Sequence, residues 1–396
     1  MNFFIVTLIK AGLVAFVLMT TLAYLQWIER KVIAHIQLRV GPYRVGPHGL
    51  LQPLADVIKL ITKEGVMPSH VNKFFYLLAP ILAVTLSLVS IAVIPFGPEI
   101  DVFGVKTWMQ LTDLKIGVLF VLAVSSVGVY GVALAGWASN NKYSLLGGLR
   151  SSAQMISYEL PMALAIAAPL LLANTLSFRE IVDAQAGSYF GFIPRWAIFQ
   201  MPFPQIASFL IFLTAGFAET NRVPFDLPEA ENELVAGFHT EYSSMSFAAF
   251  FMAEYANMVT VTCVATLLFL GGWHPLFPAP ASNLVPVAVL GISGLIALFH
   301  GMNPRRPKDR FSLPVTGIVF LGMAAGFLIP FLQPILMPLF WFAGKVLVLL
   351  FVFIWIRATL PRFRYDQLMR FAWTFLFPLA MANLLLSGLF VALFSK

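Results

Sequence analysis

Residues 153–172 read AQMISYELPMALAIAAPLLL. The stretch holds a single charged residue, Glu159. At about 1.5 Å per helical residue, its length matches a bilayer core of about 30 Å. The same kind of run recurs along the chain, near 3–27, 74–95, 115–137, 203–218, 244–270, 283–301, 314–337, 339–356 and 372–394. Charged residues make up 11% of the chain, against about 25% in soluble domains. Mean hydropathy is +0.86. The expected fold is all-α: a polytopic transmembrane bundle of about ten spans over residues 1–396, with surface amphipathic helices. A β-barrel would show short alternating segments instead.

The net charge of +7 follows from topology rather than from nucleic-acid binding. With the N-terminus outside, most basic residues fall in inside loops, including Arg30, Arg39, Arg150, Arg305, Arg357 and Arg370. The positive-inside rule selects that orientation. The first run is too long and too poor in small residues to be a cleaved signal peptide. The lone cysteine, Cys263, allows no intrachain disulfide, iron–sulfur cluster or paired-cysteine metal site. All six histidines read as loop or helix-end residues, so neither a haem within the bilayer nor another metal site is expected. Any redox centre must belong to another chain.

The inside loops carry the polar character. In 45–64, Leu50, Leu54, Val57 and Ile61 form one stripe, with Asp56, Lys59, Lys63 and Glu64 off it. That pattern predicts a helix lying along the membrane surface, with Pro53 in its first turn. The loop AETNRVPFDLPEAENELVAGFHTEY, residues 218–242, gathers six of the chain's 18 acids: Glu219, Asp226, Glu229, Glu231, Glu233 and Glu241. Asp226 and Glu229 have capping-box spacing, and a solvated acidic loop is the ordinary explanation. Three features point beyond it. Glu229 and Glu233 share a helical face, where like charges repel. Leu227, Leu234, Val235 and Phe238 interleave with the acids. Glu159 and Glu254 continue the row into apolar runs, where a charged acid costs about 2.5–3.5 kcal/mol. Pro161 would open the helix beside Glu159. Tyr130, Tyr143 and Tyr158 extend the set of proton-carrying groups. This arrangement suits proton transfer coupled to an event at the inside surface.

Four stretches carry a family resemblance. They are WIERKVIAHIQLRVGPYRVGPHGLLQPLADVIKLITKE (27–64), GWASNNKYSLLGGLRSSAQMISYE (136–159), AETNRVPFDLPEAENELVAGFHTEYSSMSFAAFFMAEY (218–255) and WIRATLPRFRYDQL (355–368). In this order, over nearly the whole chain, the sequence resembles the family of H-type membrane subunits of respiratory complex I, NADH-quinone oxidoreductase. The resemblance implies a bacterial inner-membrane protein that binds no cofactor alone. It would dock the peripheral-arm quinone-site subunits and the small membrane-arm subunits, with FMN and iron–sulfur clusters in those partners. Its substrate would be a quinone entering from the lipid.

By motif, the resemblance assigns Glu159, Glu219, Asp226, Glu229, Glu231 and Glu233 to a proton path, to which the reading of the residues adds Glu241, Glu254, Tyr130 and Tyr143. It assigns Glu29, Arg30, Arg39, Arg222, Phe225, Arg357, Arg362, Arg364 and Asp366 to the quinone passage, and Asp56 of the surface helix is expected there with them. The chain departs from the family pattern at 275–338, which reads as an inserted helix pair around NPRRPKDR, lipid-facing by composition. Two alternatives stay open: the membrane subunit of a related membrane-bound hydrogenase, and a stand-alone proton or cation transporter.

Overall fold

The computed structural model describes residues 3–102, 105–201, 203–226, 235–278, 281–302 and 309–394. A helix occupies each apolar run. In chain order they are α1 (Phe3–Ile36), α3 (Lys73–Ile91), α4 (Gly117–Ala138), α5 (Lys142–Ala173), α7 (Ile206–Glu219), α8 (Ser244–Phe269), α9 (Ala281–Met302), α10 (Asp309–Gly326), α11 (Gln333–Thr359) and a final span. That span begins as α12 (Tyr365–Arg370), passes through a π turn at Phe371–Leu376, and ends as α13 (Phe377–Phe394). Among the described residues, two short α-helices lie outside this set, α2 (Gln52–Thr62) and α6 (Phe178–Ala184).

Among the described residues, eight helices are long and apolar enough to cross a membrane. The other two runs fold as α7, with 14 residues, and α10, with 18. At 1.5 Å per residue α7 spans only about 21 Å. The chain is an all-α polytopic bundle. Small two-stranded hairpins, Glu99–Val102 with Val105–Trp108 and Ser188–Tyr189 with Ile193–Pro194, close two of its loops. The composition gave no sign of them.

Helix ends depart from the apolar runs for local reasons. α1 continues through Ile36, because WIERKVIAHI keeps good helix formers beyond the lipid-soluble part. α5 starts well before the apolar run, at Asn141, whose side chain accepts a hydrogen bond from the Tyr143 backbone N–H at 2.9 Å. It ends at Asn174, in the left-handed region at φ 51°, a common helix stop. Pro161 and Pro169 lie inside it without ending it. Between α10 and α11, residues 327–332 form a turn, as the Pro-rich punctuation there required.

The core sits where α5, α7, α8 and α11 meet. Tyr158, Phe212 and Phe269 are fully buried there, and Phe217 stacks on Phe353 at 3.8 Å. α4 and α5 cross glycine to glycine. A Cβ on Gly148 would lie 3.1 Å from the Gly136 Cα, so only small residues permit that approach. Outer helices expose apolar side chains, among them Phe16 on α1, Phe299 on α9 and Leu385 on α13. Without water to avoid, such faces suit hydrocarbon.

Loops sort into two ends of the bundle. At one end Asn141 meets Glu241, Arg362 meets Asp226 and His48 meets Asp309. At the other, Lys10 Nζ donates to Thr107 Oγ1 at 2.8 Å, and Arg179 pairs with Asp113 at 2.8 Å. Both groupings match the alternation expected from the sequence. Also at this second end, Lys345 of α11 donates to three carbonyls just past α8, those of Leu270, Gly272 and His274, at 2.6–2.8 Å.

Burial, with the Lys345 ammonium beside it, pushes the His274 imidazole down from 6.5 to about 4. Between those two values the unfolded chain binds the extra proton and the folded chain does not. Stability is therefore full above about pH 6.5 and falls as pH drops toward 4. Replacement His274→Leu is expected to flatten that slope in detergent unfolding midpoints recorded across pH 4–7. An unchanged slope would remove His274 as its source.

Candidate functional site

The last turns of α1 place Glu29 where two later segments converge. Glu29 is 3% exposed. Its Oε1 accepts from Arg357 Nη1 in the last turn of α11, and from Arg222 Nη1, just past α7, at 3.4 Å. The Arg222 guanidinium lies 4.2 Å over the Tyr255 ring. One buried carboxylate thus ties together α1, α11 and the start of the acidic loop. A buried anion is tolerable only with such charged donors around it.

Beside this cluster opens a pocket of about 560 Å³. Its walls carry Glu29, Arg30, Arg39 and Arg357 among Ile33, Val40, Pro42, Phe251 and Tyr255. That size and lining fit a flat organic molecule, with guanidinium donors available to carbonyl oxygens. Arg30 also donates to Asp56 Oδ2 at 2.9 Å, and Gln52 donates to Asp56 Oδ1 at 3.1 Å. The Arg30 bond holds α2 against α1, and the Gln52 bond, within α2, fixes the carboxylate that receives it. Leu54, Val57, Ile58 and Ile61 of α2 face outward, as a helix on the membrane surface requires. The structure therefore gathers Glu29, Arg30, Arg39, Asp56, Arg222 and Arg357.

Arg362 and Phe225 form an adjoining group. Arg362 Nη2 donates to Asp226 Oδ2 at 3.1 Å, so this carboxylate meets a cation as well as any helix start it serves. Phe225 packs between Tyr158 at 5.6 Å and Phe363 at 5.8 Å. Its carbonyl accepts from Gln154 Nε2 at 2.9 Å. Arg364 and Asp366 pair with each other at 3.0 Å, largely in the open, and line neither this pocket nor the next cavity.

A second feature lies within the bundle. Consecutive serines on α4 hold two carboxyls: Ser125 Oγ donates to Glu219 Oε1, and Ser126 Oγ donates to Glu159 Oε1. Successive helical residues point about 100° apart, so one turn of α4 reaches α7 on one side and α5 on the other. Next to them is a cavity of about 70 Å³ lined by Ser87, Ser90, Ser125, Glu219, Asn221, Glu254, Asn257 and Thr260 among apolar neighbours. That space is enough for a few waters. Polar groups from α3, α4, α7 and α8 thus face one interior space. Carboxyls, hydroxyls and water in such a row can pass protons.

Other assigned residues are placed apart. Glu241 accepts from Asn141 Nδ2 at 2.6 Å, and its carbonyl accepts from Tyr76 OH at 2.8 Å. Tyr130 and Tyr143 are exposed and line neither space. Glu229, Glu231 and Glu233 lie outside the described residues. Ser125, Ser126 and Tyr255 were missed by the sequence reading. The one signal of the two serines is the doublet in VLAVSSVGVYG (121–131), two hydroxyls side by side in an otherwise apolar run.

A family model described as NADH dehydrogenase matches residues 9–388. The chain belongs to this NADH dehydrogenase family. Family members named as the H-type subunit of NADH-quinone oxidoreductase align along its whole length. One from Solibacter usitatus is 68% identical over 100% of this chain and 99% of its own. Another, from Koribacter versatilis, is 50% identical over 99% and 98%. A third, from Geobacter sulfurreducens, is 44% identical over 98% and 96%. Within the family's matched span lie both the Glu29 pocket and the serine-held carboxyls.

Proposed function

We propose that the pocket beside Glu29 receives the quinone of a bacterial NADH-quinone oxidoreductase, of which this chain is a membrane subunit. Glu29 and Arg357 in the wall of a pocket of about 560 Å³, with Arg222 on the same carboxylate, carry this reading. Apolar walls admit the isoprenoid-bearing molecule from lipid, and guanidiniums meet its carbonyl oxygens. Electrons arrive from FMN and iron–sulfur clusters in the peripheral-arm subunits docked on this end, and small membrane-arm subunits flank the bundle. Reduction to quinol takes up a proton for each electron. The acids nearby, Asp226 first, feel that demand electrostatically. Glu219 and Glu254 of the inner cavity, with Glu159 held beside them on the neighbouring serine, carry the response into the bilayer. On this reading the N-terminus is outside, and the pocket end faces the cytoplasm.

Purification in mild detergent through a C-terminal tag tests the assignment. The expected outcome is a complex containing flavin and abundant iron, reduced by NADH and reoxidised by quinone. Nickel with iron and no flavin would point to the hydrogenase relative. A lone, colourless polypeptide would point to a transporter.

A further inference from the structure

The loop between α1 and α2 ends in an unusual backbone. Gly46, His48 and Gly49 all have positive φ, at 71°, 52° and 80°. Glycine adopts that region freely, whereas histidine adopts it at a cost. The His48 side chain reaches across 264 residues of sequence to Ser312 Oγ at 2.9 Å. The same Nε2 lies 3.1 Å from Asp309 Oδ1. Ser312 Oγ can give or take the hydrogen bond, and Asp309 stands within ion-pair reach of the same nitrogen. Both partners sit in the first turn of α10. The neighbouring Tyr43 ring meets the imidazole edge-on at 5.5 Å.

This contact continues to the pocket through backbone packing. Gly49 lies so close to Pro42 that a Cβ there would be 2.3 Å from the Pro42 carbonyl oxygen. Gly41 in turn rests on α1, where a Cβ would be 3.1 Å from the Arg30 carbonyl oxygen. Gly41 and Pro42 are pocket wall. A rigid series therefore runs from Asp309 through His48 and Gly49 to Pro42.

We propose that His48 is a positioning residue, through which the α9–α10 hairpin braces the Val40–Pro42 wall of the quinone pocket. The inference rests on the pocket reading above, and it gives the 275–338 segment a task at the site. The brace sets the width of the pocket without touching its occupant. Its loss therefore weakens quinone capture and leaves turnover at saturation alone.

The test uses the intact complex in membrane vesicles, with a short-chain quinone as the probe. NADH reduction of a water-soluble artificial acceptor reports the amount of assembled enzyme. His48→Gly removes the side chain and suits the backbone angle. It is expected to raise KM for the quinone about fivefold with kcat within about twofold. Asp309→Ala should do the same. Asp309→Asn keeps an acceptor and should stay close to the parent protein, a rescue that a merely structural role would not give. Arg39→Ala, in the pocket wall itself, is the comparator. If it raises KM and neither His48→Gly nor Asp309→Ala does, the brace is overturned and the pocket stands. If none of the three changes KM, the pocket reading fails and takes the brace with it. Should His48→Gly not assemble, the Asp309 pair decides.

Discussion

Glu29→Ala is expected to cost most of the NADH-quinone activity and much of the assembled complex. Removing the carboxylate leaves the Arg222 and Arg357 guanidiniums facing each other without the anion between them. Breaking a buried pair from one side costs about 3–5 kcal/mol. The lower end applies here, because the Arg357 side chain is 35% exposed and water screens part of its charge. Glu29→Gln keeps shape and an acceptor oxygen but loses the charge. It should assemble and show a KM for quinone raised about tenfold, since it weakens the donors' alignment without emptying the site. Native gels score assembly, and quinone titration scores the pocket. Parent-like behaviour of Glu29→Ala in both would dissolve the proposed cluster.

The second large effect concerns the serine-held acids. Glu219→Gln and Glu159→Gln each preserve an oxygen for Ser125 or Ser126 while removing the transferable proton. Coupled turnover should fall about tenfold or more in each, with assembly retained. The double variant should be little worse than either single one, because a broken relay is not broken twice. Proton uptake into vesicles, recorded beside quinone reduction, reads the effect. Two variants that pump at the parent rate would leave the inner cavity without a role in proton transfer.

Much of this was legible in the residues. The ten apolar runs fold as helices, of which eight among the described residues are long and apolar enough to cross a bilayer. Pairing was not legible. Glu29 reads as one more charge in WIERK until Arg357 is seen to reach it from the far end of the chain. Ser125 and Ser126 read as small residues tolerated in a span. Only the neighbouring helices show that each faces a carboxyl. Tyr130 shows the same limit: it lies one turn from Ser126, and its side chain is exposed. A phenol in a sequence does not say which side of its helix is covered. Asp226 was readable as a helix cap, and its partner Arg362 comes from a loop 136 residues away.

The lysine within α11 bears on how the chain is made. Lys345 lies in FWFAGKVLVLL (340–350), and a lone ammonium on an apolar helix is costly to place in lipid. Its three acceptors, the carbonyls of Leu270, Gly272 and His274, all precede it. The ribosome therefore delivers the acceptors before the donor. When α11 enters the bilayer, the end of α8 is already there to receive its charge. The direction of synthesis thus spares the membrane an unpaired cation.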